Sequence, residues 1–216
     1  MVPGIRTVVF DVDGTLIDSN GAHAQAWRQA LLEHGCAVKL EDVRRLIGMG
    51  GDKLLPAIAG VEESSKRGKA MAARKAELFA AALHTLRPTD GSRALLEYLR
   101  AQGIDLVVAT SAGDDEMRAL LAQAGVDDLF VAHTTKDDAS ASKPDPDIVQ
   151  AALSRAGARP ESTVMVGDTP YDIEAAARTG IPAVALRCGG YWTDEDLRGA
   201  VGIFDDPAAL LARWRS

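Results

Sequence analysis

Five short apolar runs dominate the chain: TVVFD at residues 7–11, IDLVVAT at 104–110, FVAHT at 130–134, TVMVGD at 163–168 and PAVAL at 182–186. Most are continuous rather than alternating, which is the pattern of parallel strands covered on both faces. GIF at 202–204 is a weaker sixth candidate. Helical stripes separate the runs. Leu95, Leu96 and Leu99 precede the second run, Met117, Leu120 and Leu121 follow it, and Ile148, Val149, Ala152 and Leu153 make a third stripe. Near the carboxyl end Asp206 is placed to cap a helix with Pro207 at its first position. Strand and helix in alternation, joined by short turns, predict an α/β fold with a mostly parallel sheet.

One region breaks this rhythm. Between about Ser19 and Arg87 helical periodicity dominates, with His23, Trp27, Ala30 and Leu31 on one face. Val43, Leu46 and Ile47 follow, then Met71, Lys75, Leu78, Phe79 and Ala82. Between the helices lie GMGG at 48–51 and the polar run EESSKRGK at 62–69. The expected organisation is a Rossmann-like core over 1–18 and 88–216 with a helical insert over 19–87. A chain of 216 residues suits one main core with such an insert.

The net charge of −7 argues against nucleic acid or an anionic membrane as partner. An anionic substrate must then be drawn by a local feature such as a metal, a lysine or helix amino ends. Cys36 and Cys188 lie far apart and outside any C-x-x-C pattern, so a disulfide framework or zinc site is not expected and a reduced cytosol fits. MVPGIRTVVFDVDG at the amino end has no long apolar run, and no stretch approaches a membrane span. The expectation is a cytoplasmic protein, monomeric or homodimeric.

In open α/β sheets ligands gather at the carboxyl ends of strands. Here those ends carry Asp11 with Asp13 two residues on, Thr110 with Ser111, and GDTPYD with Asp168 and Asp172. SKPDPD brings Lys143 just ahead of the fourth strand. Crowded carboxylates stay ionised together only when a cation neutralises them, and Mg²⁺ suits oxygen ligands. Lys143 and the Thr110 hydroxyl suit a phosphoryl group. One carboxylate can attack phosphorus, and a second can protonate the leaving oxygen and later activate water. A lone D-x-D in a loop is usually solvated. All four elements in order along one α/β pattern carry the reading.

On these residues the chain resembles the haloacid dehalogenase superfamily. DVDGTLIDS resembles its first motif, VVATSAG its second, Lys143 in SKPDPD its third and VGDTPYD its fourth. The helical insert resembles the cap of the phosphoglycolate phosphatase and β-phosphoglucomutase-like branch. The resemblance implies Asp11 as nucleophile and Mg²⁺ ligand, and Asp13 as general acid/base with its carbonyl on the metal. It implies Asp168 as a further ligand, and Asp172 either holding a metal-bound water or buttressing Lys143. Thr110 and Lys143 would bind the transferring phosphoryl group, with the Ser111 and Gly14 backbones nearby. Asp18 is read as shaping the turn into the cap.

Asp13 argues against dehalogenation, because dehalogenases of the superfamily lack that aspartate. Phosphonate hydrolysis would need a cap lysine such as Lys53 or Lys75. HAQAW at 23–27 resembles the cap segment of the mutase, where the histidine helps time the entry of the acid/base aspartate. Cap-helix packing is the plainer role for His23 and Trp27. Ser19 lies where the mutase has a threonine and Lys75 near its cap lysine, but Gly51 stands where it has an arginine. Lys53 is the available substitute. The glycine-rich loop is expected to descend over the site and read the substrate, with Asp52 capping the next helix. The expected function is a Mg²⁺-dependent phosphatase acting on a small phosphorylated metabolite, of phosphoglycolate or sugar phosphate type, through an aspartyl-phosphate. The alternatives are a sugar-phosphate mutase and a non-catalytic phosphate-binding protein; intact Asp11, Asp13, Lys143 and Asp168 argue against the latter.

Overall fold

The computed structural model describes residues 4–216; residues 1–3, part of the amino-terminal stretch read as having no long apolar run, lie outside it. Six parallel strands form one sheet in the order β3-β2-β1-β4-β5-β6. They are β1 (Thr7–Phe10), β2 (Asp105–Ala109), β3 (Ala132–Thr134), β4 (Thr163–Gly167), β5 (Ala183–Leu186) and β6 (Gly202–Phe204).

The continuous apolar runs have a direct cause. Side chains alternate across a strand, and both faces of this sheet are covered. Val8, Phe10, Leu106, Val108, Val164 and Val166 face one core with leucines of α5 (Ser92–Ala101) and α6 (Asp114–Ala124) and Leu210 and Leu211 of α9 (Pro207–Arg215). Val9, Val107, Ala109 and Met165 face the other, with α7 (Asp147–Ala156) and α8 (Pro170–Arg178). The third run is shorter than expected. β3 is one of the two edge strands, and Val131 ahead of it is exposed.

Between β1 and α5 lie α1 (Asn20–Glu33), α2 (Leu40–Arg44), α3 (Gly51–Ala59) and α4 (Lys66–Ala82). They bury their own cluster of Ala24, Trp27, Leu31, Val43, Ile47, Leu54, Leu55 and Met71. Half of the polar run 62–69 is helical rather than loop. The Ser65 hydroxyl accepts from Gly68 N–H at 3.0 Å and starts α4 within it. Asp206 caps α9 as expected, accepting from Ala209 N–H at 2.8 Å. Asp90 does not cap α5; Gly91 holds that position, and the Asp90 carbonyl accepts from Ala208 N–H. Among the described residues no helix is long and apolar enough to cross a membrane.

Candidate active site

Strand order reverses at β1, with β2 on one side and β4 on the other. The crevice at the carboxyl ends of these strands is therefore the expected ligand site. Asp11 follows β1, Thr110 follows β2 and Asp168 follows β4, and all three are buried. Lys143 reaches in from the loop before α7. Its ammonium donates to Asp11 Oδ1 at 2.5 Å, Asp172 Oδ1 at 2.7 Å and the Ala109 carbonyl at 3.1 Å. Three donors thus meet three acceptors, which is the full capacity of an ammonium.

Asp172 is fixed from both sides. Its second oxygen accepts from Thr169 N–H at 3.0 Å and from the Thr169 hydroxyl at 2.7 Å, closing a capping box at the start of α8. With both oxygens engaged, Asp172 buttresses Lys143, one of the two roles expected of it. Asp168 accepts from the Thr15 hydroxyl at 3.2 Å and from Asn20 Nδ2 at 2.7 Å. Gly14 lies alongside with φ +71°, and a Cβ there would run into Asp168 and Asn20. Asn20 and Thr15 carried no expectation. Each is an ordinary turn or helix-start residue in sequence, and only the fold brings it to Asp168.

Asp11, Asp168 and Asp172 offer oxygens within 4.8 Å of one another. Burial pushes the Asp11 carboxyl up to about 7; Lys143 pulls against this, while Asp172 and Asp13 add to it. Burial, with Asp172 and Asp11, also holds Asp168 well above the usual carboxylate range. Lys143 is instead held in its charged form. Burial opposes its charge, but Asp11 and Asp172 more than offset that and raise its pKa. Three carboxylates against one ammonium leave two uncompensated negative charges in a buried site. This donor set fits a divalent oxygen-loving cation.

The Asp13 side chain lies elsewhere. It accepts from the Ser19 hydroxyl at 2.5 Å and sits 2.7 Å from His23 Nε2. Burial works to raise its pKa, but His23, Ser19 and Lys75 together hold it down at about 2. His23 in turn stacks on Phe79, ring centroids 3.8 Å apart and 11° from parallel.

The insert closes over these groups and leaves a cavity of about 510 Å³, lined by Asp11, Asp13, His23, Thr110, Ser111 and Gly51 among others. The glycine-rich loop is latched to the core. Gly48 O accepts from the Ser111 hydroxyl at 3.2 Å, and Gly50 N–H donates to Ser142 Oγ at 3.0 Å. Gly48 has φ +104°, and a Cβ there would lie 2.8 Å from Thr169. Asp52 does not cap α3; its carboxylate accepts from Ser142 N–H at 3.2 Å.

Lys53, expected at the substrate, lies outside this cavity. Its ammonium pairs with Asp145 at 2.5 Å, and Asp145 also takes Arg178 at 2.8 Å. Lys53 therefore joins the insert to the core rather than gripping a ligand. Lys53→Ala is expected to change KM by no more than about fivefold, the worth of a partly exposed pair. A loss of a hundredfold or more in kcat/KM would return Lys53 to the substrate.

The haloacid dehalogenase-like hydrolase family model matches residues 8–186. The chain is 33% identical over 213 residues to the phosphoglycolate phosphatase of Pseudomonas putida, covering 95% of this chain and 78% of that protein. It is 32% identical over 214 residues to the phosphoglycolate phosphatase of Rhodospirillum rubrum, covering 95% and 89%. The crystal structure of a hydrolase from Pseudomonas syringae superposes with a TM-score of 0.91 at 30% identity, covering 97% of each chain. With the family match spanning most of its length and relatives of this identity along nearly all of it, the chain belongs to the haloacid dehalogenase-like hydrolase family.

Proposed function

We propose that this chain is a Mg²⁺-dependent phosphatase that hydrolyses a small phosphomonoester through an aspartyl-phosphate on Asp11. The observation that carries the reading is the buried Asp11 carboxylate, oriented by Lys143 at 2.5 Å, grouped with Asp168 and facing the cavity beneath the insert. The phosphatase relatives support it. Asp11, Asp168 and the backbone carbonyl of Asp13 would hold Mg²⁺, which supplies charge neutralisation for the nucleophile and the phosphoryl oxygens when bound.

As Asp11 turns to phosphorus, Lys143 exchanges its bond to that carboxylate for one to a phosphoryl oxygen, beside the Thr110 hydroxyl, and keeps Asp172 and the Ala109 carbonyl. A carboxylate oxygen of Asp11 attacks phosphorus, and the bond to the alcohol oxygen breaks. Asp13 gives that oxygen its proton. Asp13 then takes a proton from water, the water oxygen attacks phosphorus, and the acyl-phosphate bond breaks to return Asp11 and release phosphate. On His23 and Ser19 the Asp13 carboxyl is held ionised, so it takes up a proton from solvent and becomes an acid only after leaving them. The closed insert keeps bulk water from the phosphoenzyme until the alcohol has departed. We propose residues 1–18 and 88–216 as the catalytic core and 19–87 as its cap.

The test is phosphate release from a panel of phosphomonoesters with Mg²⁺ and with chelator, run beside Asp13→Asn. Metal-dependent release is expected, with kcat lower by about 10²–10⁴ in Asp13→Asn. Undiminished turnover in that variant would remove Asp13 from the acid/base role.

A further inference from the structure

We propose that the cavity selects phosphomonoesters whose alcohol carries no second anionic group, and that Glu116 imposes this by holding Lys75. The proposal rests on the phosphatase reading and names its substrate class as neutral, hydroxylated alcohols. Relatives act on a phosphorylated acid. The cavity here carries the wrong charge for one.

Two lysines line the cavity, Lys75 and Lys136, and no arginine does so among the described residues. Both lysines are already paired. Lys75, 8% exposed on α4, donates to both carboxylate oxygens of Glu116 on α6, at 3.1 and 2.9 Å. Lys136 lies 3.5 Å from Glu63. Asp114, Asp115 and Asp137 also line the cavity. Five carboxylates of the lining therefore stand against two lysines, and only Asp114 among them has a further cation, Arg118 at 2.9 Å outside the lining. A carboxylate or second phosphate on the alcohol would meet no free cation and several like charges. Gly51, also in the lining, supplies no side chain to change this.

The remaining wall is apolar, with Trp27, Ile47, Phe79 and Leu83. Hydroxyl groups can donate to the free lone pairs of the lining carboxylates while the C–H face of a polyol packs on these side chains. Glu116 acts through Lys75 rather than on the substrate, which makes it a positioning residue for specificity. It was not legible in the sequence, because its partner lies 41 residues earlier on a different helix.

Matched substrates test this. 2-Hydroxyethyl phosphate and phosphoglycolate differ only in exchanging a hydroxymethyl group for a carboxylate; glucitol 6-phosphate and 6-phosphogluconate make a second pair. The wild type is expected to favour the neutral member of each pair by at least about tenfold in kcat/KM, the cost of one unmatched charge in a partly buried site. Glu116→Gln frees Lys75 and is expected to shift that ratio at least about tenfold toward the acid. Adding Lys75→Met should take the shift away again, which a merely structural Glu116 would not produce. Should Glu116→Gln fold poorly, Glu116→Gln with Lys75→Gln keeps a neutral pair and is expected to retain the wild-type preference. A wild type that favours the acids, or an unchanged ratio in Glu116→Gln, overturns the proposal. Acetyl phosphate is the control, since it asks only for Asp11 chemistry. Silence there, together with silence on both pairs, overturns the phosphatase reading and this one with it; turnover there isolates the failure to specificity.

Discussion

Asp11→Asn is expected to lower phosphate release by at least about 10⁴-fold while leaving the fold intact or more stable. The loss follows from chemistry. An amide oxygen does not form the acyl-phosphate, and removing a covalent nucleophile typically leaves only the contribution of binding and electrostatics. The stability half follows from burial. Asp11 is 4% exposed and its carboxyl is pushed up to about 7 chiefly by loss of water. Its charge is thus unwelcome without a metal, and asparagine keeps the shape and an acceptor for Lys143 at 2.5 Å. Removing one partner of a buried pair usually destabilises because the other charge is stranded. Here Lys143 keeps Asp172 at 2.7 Å, so it is not stranded. Phosphate release and mass spectrometry of the protein after substrate addition read the first half, and thermal unfolding in chelator reads the second. Surviving hydrolysis, or phosphate trapped on another residue, would refute Asp11 as nucleophile.

The core was legible because its evidence is local. Continuous apolar runs report strands covered on both faces, and Val8 and Val9 indeed point to opposite cores. Asp11, Thr110, Lys143 and Asp168 sit at strand ends or in a short loop beside them, so chain order alone brings them to one crevice. The insert was legible only as helices. Which of its residues face the crevice depends on how four helices dock, and periodicity does not encode that. Lys53 and Lys75 show the difference. Both are cap lysines in helical stretches, yet one pairs with Asp145 outside the cavity and the other with Glu116 inside it. Asn20 illustrates the same limit. It reads as a helix start, and only the return of the chain 148 residues later makes it a donor to Asp168.

Chelation is expected to abolish turnover and to give the protein a stability that falls with pH. In the metal-free fold Asp11 titrates near 7 against 3.8 for the free group, chiefly through burial, and Asp168 is raised in the same direction. A carboxyl raised on folding binds its proton more tightly in the native state. Its contribution is present below pH 4 and is lost as pH climbs through 7. Three pK units at Asp11 correspond to on the order of 4 kcal/mol. Asp13 does not blur this window. Its pKa is held at about 2, so its opposite contribution is lost only as pH falls from 3.8 toward 2. Thermal unfolding in chelator should therefore give a lower Tm at pH 8 than at pH 5. Mg²⁺ should restore more at pH 8, where the carboxylates are free of the protons with which a cation competes. Asp11→Asn should flatten the metal-free slope, since it removes one of the two groups responsible. A metal-free Tm that rises from pH 5 to pH 8 would mean that Lys143 alone suffices for the three carboxylates. The case for a divalent cation between Asp11 and Asp168 would then fail together with the metal dependence of the reaction.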